Sequence, residues 1–267
     1  RSGAMSESAR VTLLGHRLET IAADMGAVLE RVAFSTNVKD RHDFSCAVLD
    51  PEGRLVVNAP HIPVHLGALG RCVRAVREVL DLRPGDVAIT NHPAHGGSHL
   101  PDVTLVAPVH DHGGILLGYV ANRAHHAEIG GRTPGSMPPD ARCLADEGVV
   151  LSPMHLVEAG VAQWPAVEHC LRAGPHPSRT PDENLADLRG QLAACRIGVE
   201  RLRELAAEVG AEAVLATQTG LRADAASALR RCIAELTNLP RVAETALDDG
   251  TPIRVRLDAE ATDAGPR

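Results

Sequence analysis

Apolar residues recur near the start of the chain at Val11, Leu14, Leu18, Ile21, Met25, Val28 and Val32. Steps of three and four residues draw one stripe down a cylinder, so a long amphipathic helix is expected over 11–32. The period then changes. Phe44–Leu49 (FSCAVL) reads as a strand, Asp50-Pro51-Glu52-Gly53 as a turn and 54–58 as the returning strand of a hairpin. Pro60 and Pro63 should keep NAPHIPVHLGALG extended as far as Leu66. From there Leu66, Leu69, Val73, Val76 and Leu80 mark a second helix, stopped by Arg83-Pro84-Gly85-Asp86. Apolar runs at 86–90, 103–109 and 115–121 read as further strands.

Residues 122–153 are rich in glycine and proline and show no period, so a long functional loop is expected there. Past Arg179 the texture becomes helical again. Leu185, Leu188, Leu192, Cys195, Val199, Leu202, Ala206 and Val209 mark one long helix, and a second follows to about Leu236 with Gly220 as its weak point. IRVRL at 253–257 alternates like a strand in need of a partner edge. The expected class is α+β: a β-rich part made of hairpins with flanking helices, then a helical hairpin. Residues 1–5 read as a cloning remnant. A mixed α/β domain is expected over 6–178, the helical hairpin over 179–240 and a terminal strand and tail over 241–267.

Composition narrows the function. The formal charge is −7 with no cluster of Lys or Arg, which argues against a nucleic-acid surface. Phe34, Phe44, Tyr119 and Trp164 are the only aromatic residues, too few for a base-stacking platform. No apolar run approaches the ~18–20 residues of a membrane span, and no signal peptide is visible. Six cysteines without a CxxC read as small buried hydrophobes of a cytoplasmic protein.

The chemistry concentrates in NHPAHGGSHLPD at 91–102, between two expected strands. His99 and Asp102 are two metal donors on one loop. His125 or His126, after the next strand, adds a third, and Asp43 at the entrance to the first strand is the natural fourth. Oxygen and imidazole donors without a spaced cysteine suit Mn, Fe, Co or catalytic Zn and argue against a structural zinc or iron–sulfur site. HxxD alone is a weak pattern, and His110 and His112 look equally ligand-like while reading as solvated turn residues. Ser98 and Ser136 lack the strand–turn–helix setting of a nucleophile elbow, and GGRTPGS lacks the spacing and lysine of a P-loop. Gly130, Gly131 and Gly135 offer backbone N–H groups for an oxyanion, or simply a turn.

The ordered segments STNVKDRHDFSCAVLDPEGRLV, PHIPVHLGAL, GDVAITNHPAHGGSHLPDVTLVAPV, ANRAHHAEIGG and PGSMPP resemble the hydantoinase B/oxoprolinase family, which includes the α-type subunits of acetone and acetophenone carboxylases. The resemblance implies a metal-dependent subunit hydrolysing a cyclic amide or imide of the hydantoin or 5-oxoproline type. ATP would enter only through a hydantoinase A-like partner subunit. It implies Asp43, His99, Asp102 and His125 as metal ligands, with His126 the alternative to His125. His65 becomes an acid/base or substrate contact, and the non-ligating member of the His125–His126 pair a proton carrier. The alternatives are an ATP-dependent ketone carboxylase subunit, a shortened stand-alone metal enzyme and a non-catalytic scaffold relative. The resemblance covers the N-terminal half of family subunits. This implies a separate chain supplying the C-terminal half, a truncation, or a compact descendant. In the family loop, acidic and aromatic residues stand where this chain has His92, Ala94 and His95.

Overall fold

The structure is a computed structural model that describes residues 7–59, 62–236 and 239–258. Residues 1–6, which include the expected remnant, and the tail beyond 258 lie outside the described residues. The first stripe forms helix α1, Glu7–Val32, followed by a single turn α2, Thr36–Lys39. The expected hairpin is β1, Phe44–Leu49, with β2, Leu55–Asn58. Helix α3, Pro63–Val79, starts earlier than expected. Pro63 opens it rather than delaying it, because the first turn of a helix has no use for the missing N–H.

Strands β3 (Val87–Thr90), β4 (Asp102–His110) and β5 (Leu116–His125) follow. After a short helix α4, Leu144–Glu147, come β6 (Met154–Glu158), β7 (Val161–Ala162) and helix α5 (Trp164–Arg172), which no sequence pattern announces. The two long helices are α6, Pro181–Val209, and α7, Ala211–Ala234, parted at Gly210. The stretch 122–153 is less irregular than its composition suggests. Its first four residues complete β5, because Asn122, Arg123 and Ala124 pair with both β1 and β4 and two ladders override weak local propensity.

Seven strands form one antiparallel sheet in the order β2-β1-β5-β4-β3-β6-β7. Both faces of its centre are covered, so β4 and β5 are buried almost throughout, and this explains the near-continuous apolar run VTLVAPV. On one face Ala47, Ala88, Val106 and Ala121 meet Leu69, Cys72, Val73 and Val76 of α3. On the other lie α1 and α6, packed along each other. Gly190 and Gly198 of α6 make that approach close: a Cβ on Gly198 would sit 2.5 Å from Met25 Sδ of α1.

Contacts divide the chain after Gln218, later than the boundary expected at 178/179. Helix α6 buries Leu185, Leu188, Leu192, Leu202 and Leu205 and therefore belongs with the sheet. In the second unit IRVRL becomes β9, Pro252–Leu257. It finds its partner in β8, Arg241–Ala246, a strand whose mixed polarity hid it.

Candidate metal centre

The loop between β3 and β4 is pinned before it reaches any donor. The buried Asn91 side chain donates to the carbonyls of Leu100 (2.8 Å) and Val149 (2.9 Å) and accepts from the N–H of Leu151 (2.7 Å). Pro93–His95 form a 3-10 turn closed by Gly96 at φ 82°, where a Cβ would come within 2.6 Å of the Cα of Cys72 in α3. A side chain at Gly97 would strike the carbonyl oxygen of Asn91. Both glycines are thus demanded by close packing. Arg123 lies fully buried beneath the loop. Its guanidinium donates to Thr104 Oγ1 (2.8 Å), Ser98 Oγ (2.8 Å) and the carbonyl of Gly96 (2.7 Å).

Ladder register does the rest. Asp102 heads β4 and His125 ends β5, directly opposite each other, so their side chains leave the same face. The N–H of Asp102 donates to the carbonyl of His99 (3.0 Å), turning His99 back toward them. One donor atom from each of His99, Asp102 and His125 falls within 4.8 Å of the others. His99 Nε2 and His125 Nδ1 both stand 3.2 Å from Asp102 Oδ1. Asp43 adjoins the group: its Oδ2 is 3.8 Å from His125 Nδ1, and its carbonyl accepts the His125 N–H at 2.9 Å. The side chains of His99 and Asp43 keep 35% and 32% of their surface exposed, so one side of the cluster is open. Burial alone would raise the pKa of Asp102. Hydrogen bonding to His125, His65 and His99 outweighs it and holds the carboxyl far below its ordinary range. The bond to Asp102 raises His99 against the opposing effect of burial.

His65 reaches this group from α3, with Nε2 at 3.4 Å from Asp102 Oδ2, but its ring is buried and faces no solvent. His126 is not brought to it. His126 lies just past the end of β5 and faces α6, with Nε2 3.1 Å from Gln191 Oε1 and Nδ1 3.1 Å from Asn184 Nδ2. Burial lowers its pKa. In the glycine-rich loop, where an oxyanion site or a plain turn was expected, the backbone N–H groups are already engaged. Gly130 and Gly135 donate to the buried Glu128 carboxylate, which also takes Arg179 Nη1 at 3.1 Å, and Gly131 donates to the carbonyl of His176. His110 ends β4 instead of lying in a solvated turn, and its Nδ1 is buried without a partner among the described residues. Of the cysteines, Cys46, Cys72 and Cys195 are buried as expected, while Cys143 and Cys232 are exposed. Sequence reasoning passes over Asn91, Arg123 and Gln191. The visible signal for Arg123 is a charge two residues beyond an expected strand, set between Asn122 and Ala124.

An antiparallel sheet sandwiched by helices, with a histidine–carboxylate cluster at the ends of two central strands, is an architecture that suits a mononuclear metal. The hydantoinase B/oxoprolinase family model matches residues 7–265, and the chain belongs to that family. It is 38% identical to 5-oxoprolinase 1 of Arabidopsis thaliana over 282 residues, 96% of this chain and 22% of that protein. It is 38% identical to the 5-oxoprolinase of Saccharomyces cerevisiae over 259 residues, 92% of this chain and 20% of that one. Among solved structures, the ATP-dependent caprolactamase of Pseudomonas jessenii superposes with a TM-score of 0.81 at 26% identity, covering 95% of this chain and 45% of that one. A nucleotide-free acetone carboxylase shares the fold, with a TM-score of 0.78 at 17% identity, over 97% of this chain and 36% of that one. The chain spans about a fifth of the length of the oxoprolinases it matches. Among the described residues no helix is long and apolar enough to cross a membrane.

Proposed function

We propose that this chain is the metal-binding part of an ATP-dependent enzyme that opens a cyclic amide or imide of the hydantoin or 5-oxoproline type. The observation that carries the reading is the convergence of His99, Asp102 and His125 in a chain of this family. These three side chains would hold a divalent ion (Mn, Fe, Co or Zn), with Asp43 as the fourth donor. When bound, such an ion supplies Lewis acidity toward a carbonyl and acidifies water. The protein supplies the remainder. Asp102 stays ionised, and Arg123 and Asn91 hold the loop that carries His99. The exposed edges of His99 and Asp43 mark the side from which a substrate carbonyl would arrive. In the overall reaction the ring C–N bond breaks, the water oxygen ends on the carbonyl carbon and a proton on the nitrogen. Neither His65 nor His126 reaches the open side, so neither contacts substrate in this reading.

ATP would be bound by a hydantoinase A-like partner, as the family resemblance implies. The likeness to a caprolactamase, whose name specifies a cyclic amide, favours hydrolysis over the ketone carboxylation suggested by the more distant fold relative. Elemental analysis of the purified chain tests the reading first. About one equivalent of a divalent transition metal or zinc is expected, lost in both His99→Ala and Asp102→Ala. A wild type that takes up none after reconstitution overturns it. With the partner added, ATP turnover that needs bicarbonate would replace hydrolysis by carboxylation.

A further inference from the structure

We propose that Ser45 and His65 form a buried support that sets the orientation of the Asp102 carboxylate. Ser45 lies in β1 and His65 in the first turn of α3, and their side chains meet at 3.0 Å between Oγ and Nδ1. The other ring nitrogen of His65, Nε2, stands 3.4 Å from Asp102 Oδ2. Ser45, His65 and Asp102 are 2%, 1% and 2% exposed, so water does not substitute for any of these partners. A carboxylate only accepts, which requires the hydrogen on Nε2. A ring carrying one proton then presents a bare Nδ1, and the Ser45 hydroxyl is the donor that fills it.

The two oxygens of Asp102 thereby take separate roles. Oδ1 faces His99 and His125, and Oδ2 is held from behind by His65. Without Ser45 the Nδ1 lone pair is buried and empty, the alternative tautomer becomes competitive, and Nε2 then turns a lone pair toward an anion. The carboxylate loses its hold and rotates. His65 is on this account a positioning residue, not the acid/base group or substrate contact expected from the resemblance, because its ring has no path to the open side. The effect on ion affinity rests on the metal-binding reading above; the tautomer of His65 does not.

Long-range 15N–1H NMR of the histidine rings in the metal-free chain tests the support directly. The wild type is expected to show His65 as a single Nε2–H tautomer, and Ser45→Ala a mixture of tautomers with an unchanged far-ultraviolet dichroism spectrum. Zn2+ affinity, measured by chelator competition, is expected to fall about 10–100-fold in Ser45→Ala, as for other groups behind a metal ligand, and to recover in Ser45→Thr. An Nδ1–H ring or an imidazolium at His65 in the wild type overturns the proposal, as does a Ser45→Ala variant with wild-type tautomer and affinity. If the wild type binds no metal ion, the metal reading and the affinity effect fall together, while the ring spectrum still decides whether Ser45 directs His65.

Discussion

His125 and His126 are chemically alike and adjacent, yet one joins the donor cluster and the other is locked between Asn184 and Gln191. Register decides between them: His125 is the last residue of β5, paired with Asp102, while His126 just beyond it turns to α6. The cluster that His99 and Asp102 join was legible in part because a loop with this density of polar chemistry has no use as core. Arg123 and Asn91 were not, since a single polar residue in or beside an apolar strand is recognisable as a loop anchor only once the loop lies over it. His110 is the residue whose titration should be felt away from the site. Burial, then the nearby Arg203, lower its pKa, with Asp111 opposing. Above pH 6.5 the ring is neutral folded or unfolded and contributes nothing to the pH dependence. As pH falls through 6.5, its ordinary value, the unfolded chain takes up the proton before the folded one does, so stability is lost down to the depressed folded value. Denaturant midpoints measured across this interval should decline less steeply in His110→Gln than in the wild type.

Among the elements, the periodic stretches came through best. The stripe from Val11 to Val32 is α1, and the leucine ladder beginning at Leu185 is α6, because a long apolar face has one economical conformation. What α6 packs against was not legible. Small residues at Gly190 and Gly198 look like weak points in a helix and act as contact surfaces for α1. Gly198→Leu should therefore force the helices apart and lower stability by about 1–3 kcal/mol, the usual cost of overpacking. Denaturant unfolding reads this directly, and a midpoint equal to that of the wild type would show that Met25 simply moves aside. The misread starts and ends have separate causes. Pro63 opens α3 because a first-turn residue needs no N–H, β5 runs on through Asn122–Ala124 because the distant β1 pairs with it, and β9 is paired by the adjacent β8, whose mixed polarity hid it.

At the scale of the whole molecule, every donor and every side chain that supports one precedes Gln218, where contacts divide the chain. A chain ending after Leu236, without β8 and β9, is expected to bind Zn2+ with the affinity of the full chain. Weaker binding would mean that the second unit contributes to the centre. By itself the sequence determined the α+β class, the long helices and the family, because periodicity, turn residues and ordered motifs are local properties. Only the tertiary structure decided the sheet order, which of His125 and His126 lies beside Asp102, the burial of His65 behind Asp102 and the use of the glycine-rich loop's N–H groups by Glu128. The first three depend on how strands align and on helices closing over a sheet, and the last on a loop folding back on its own carboxylate, arrangements that the residue types alone do not specify.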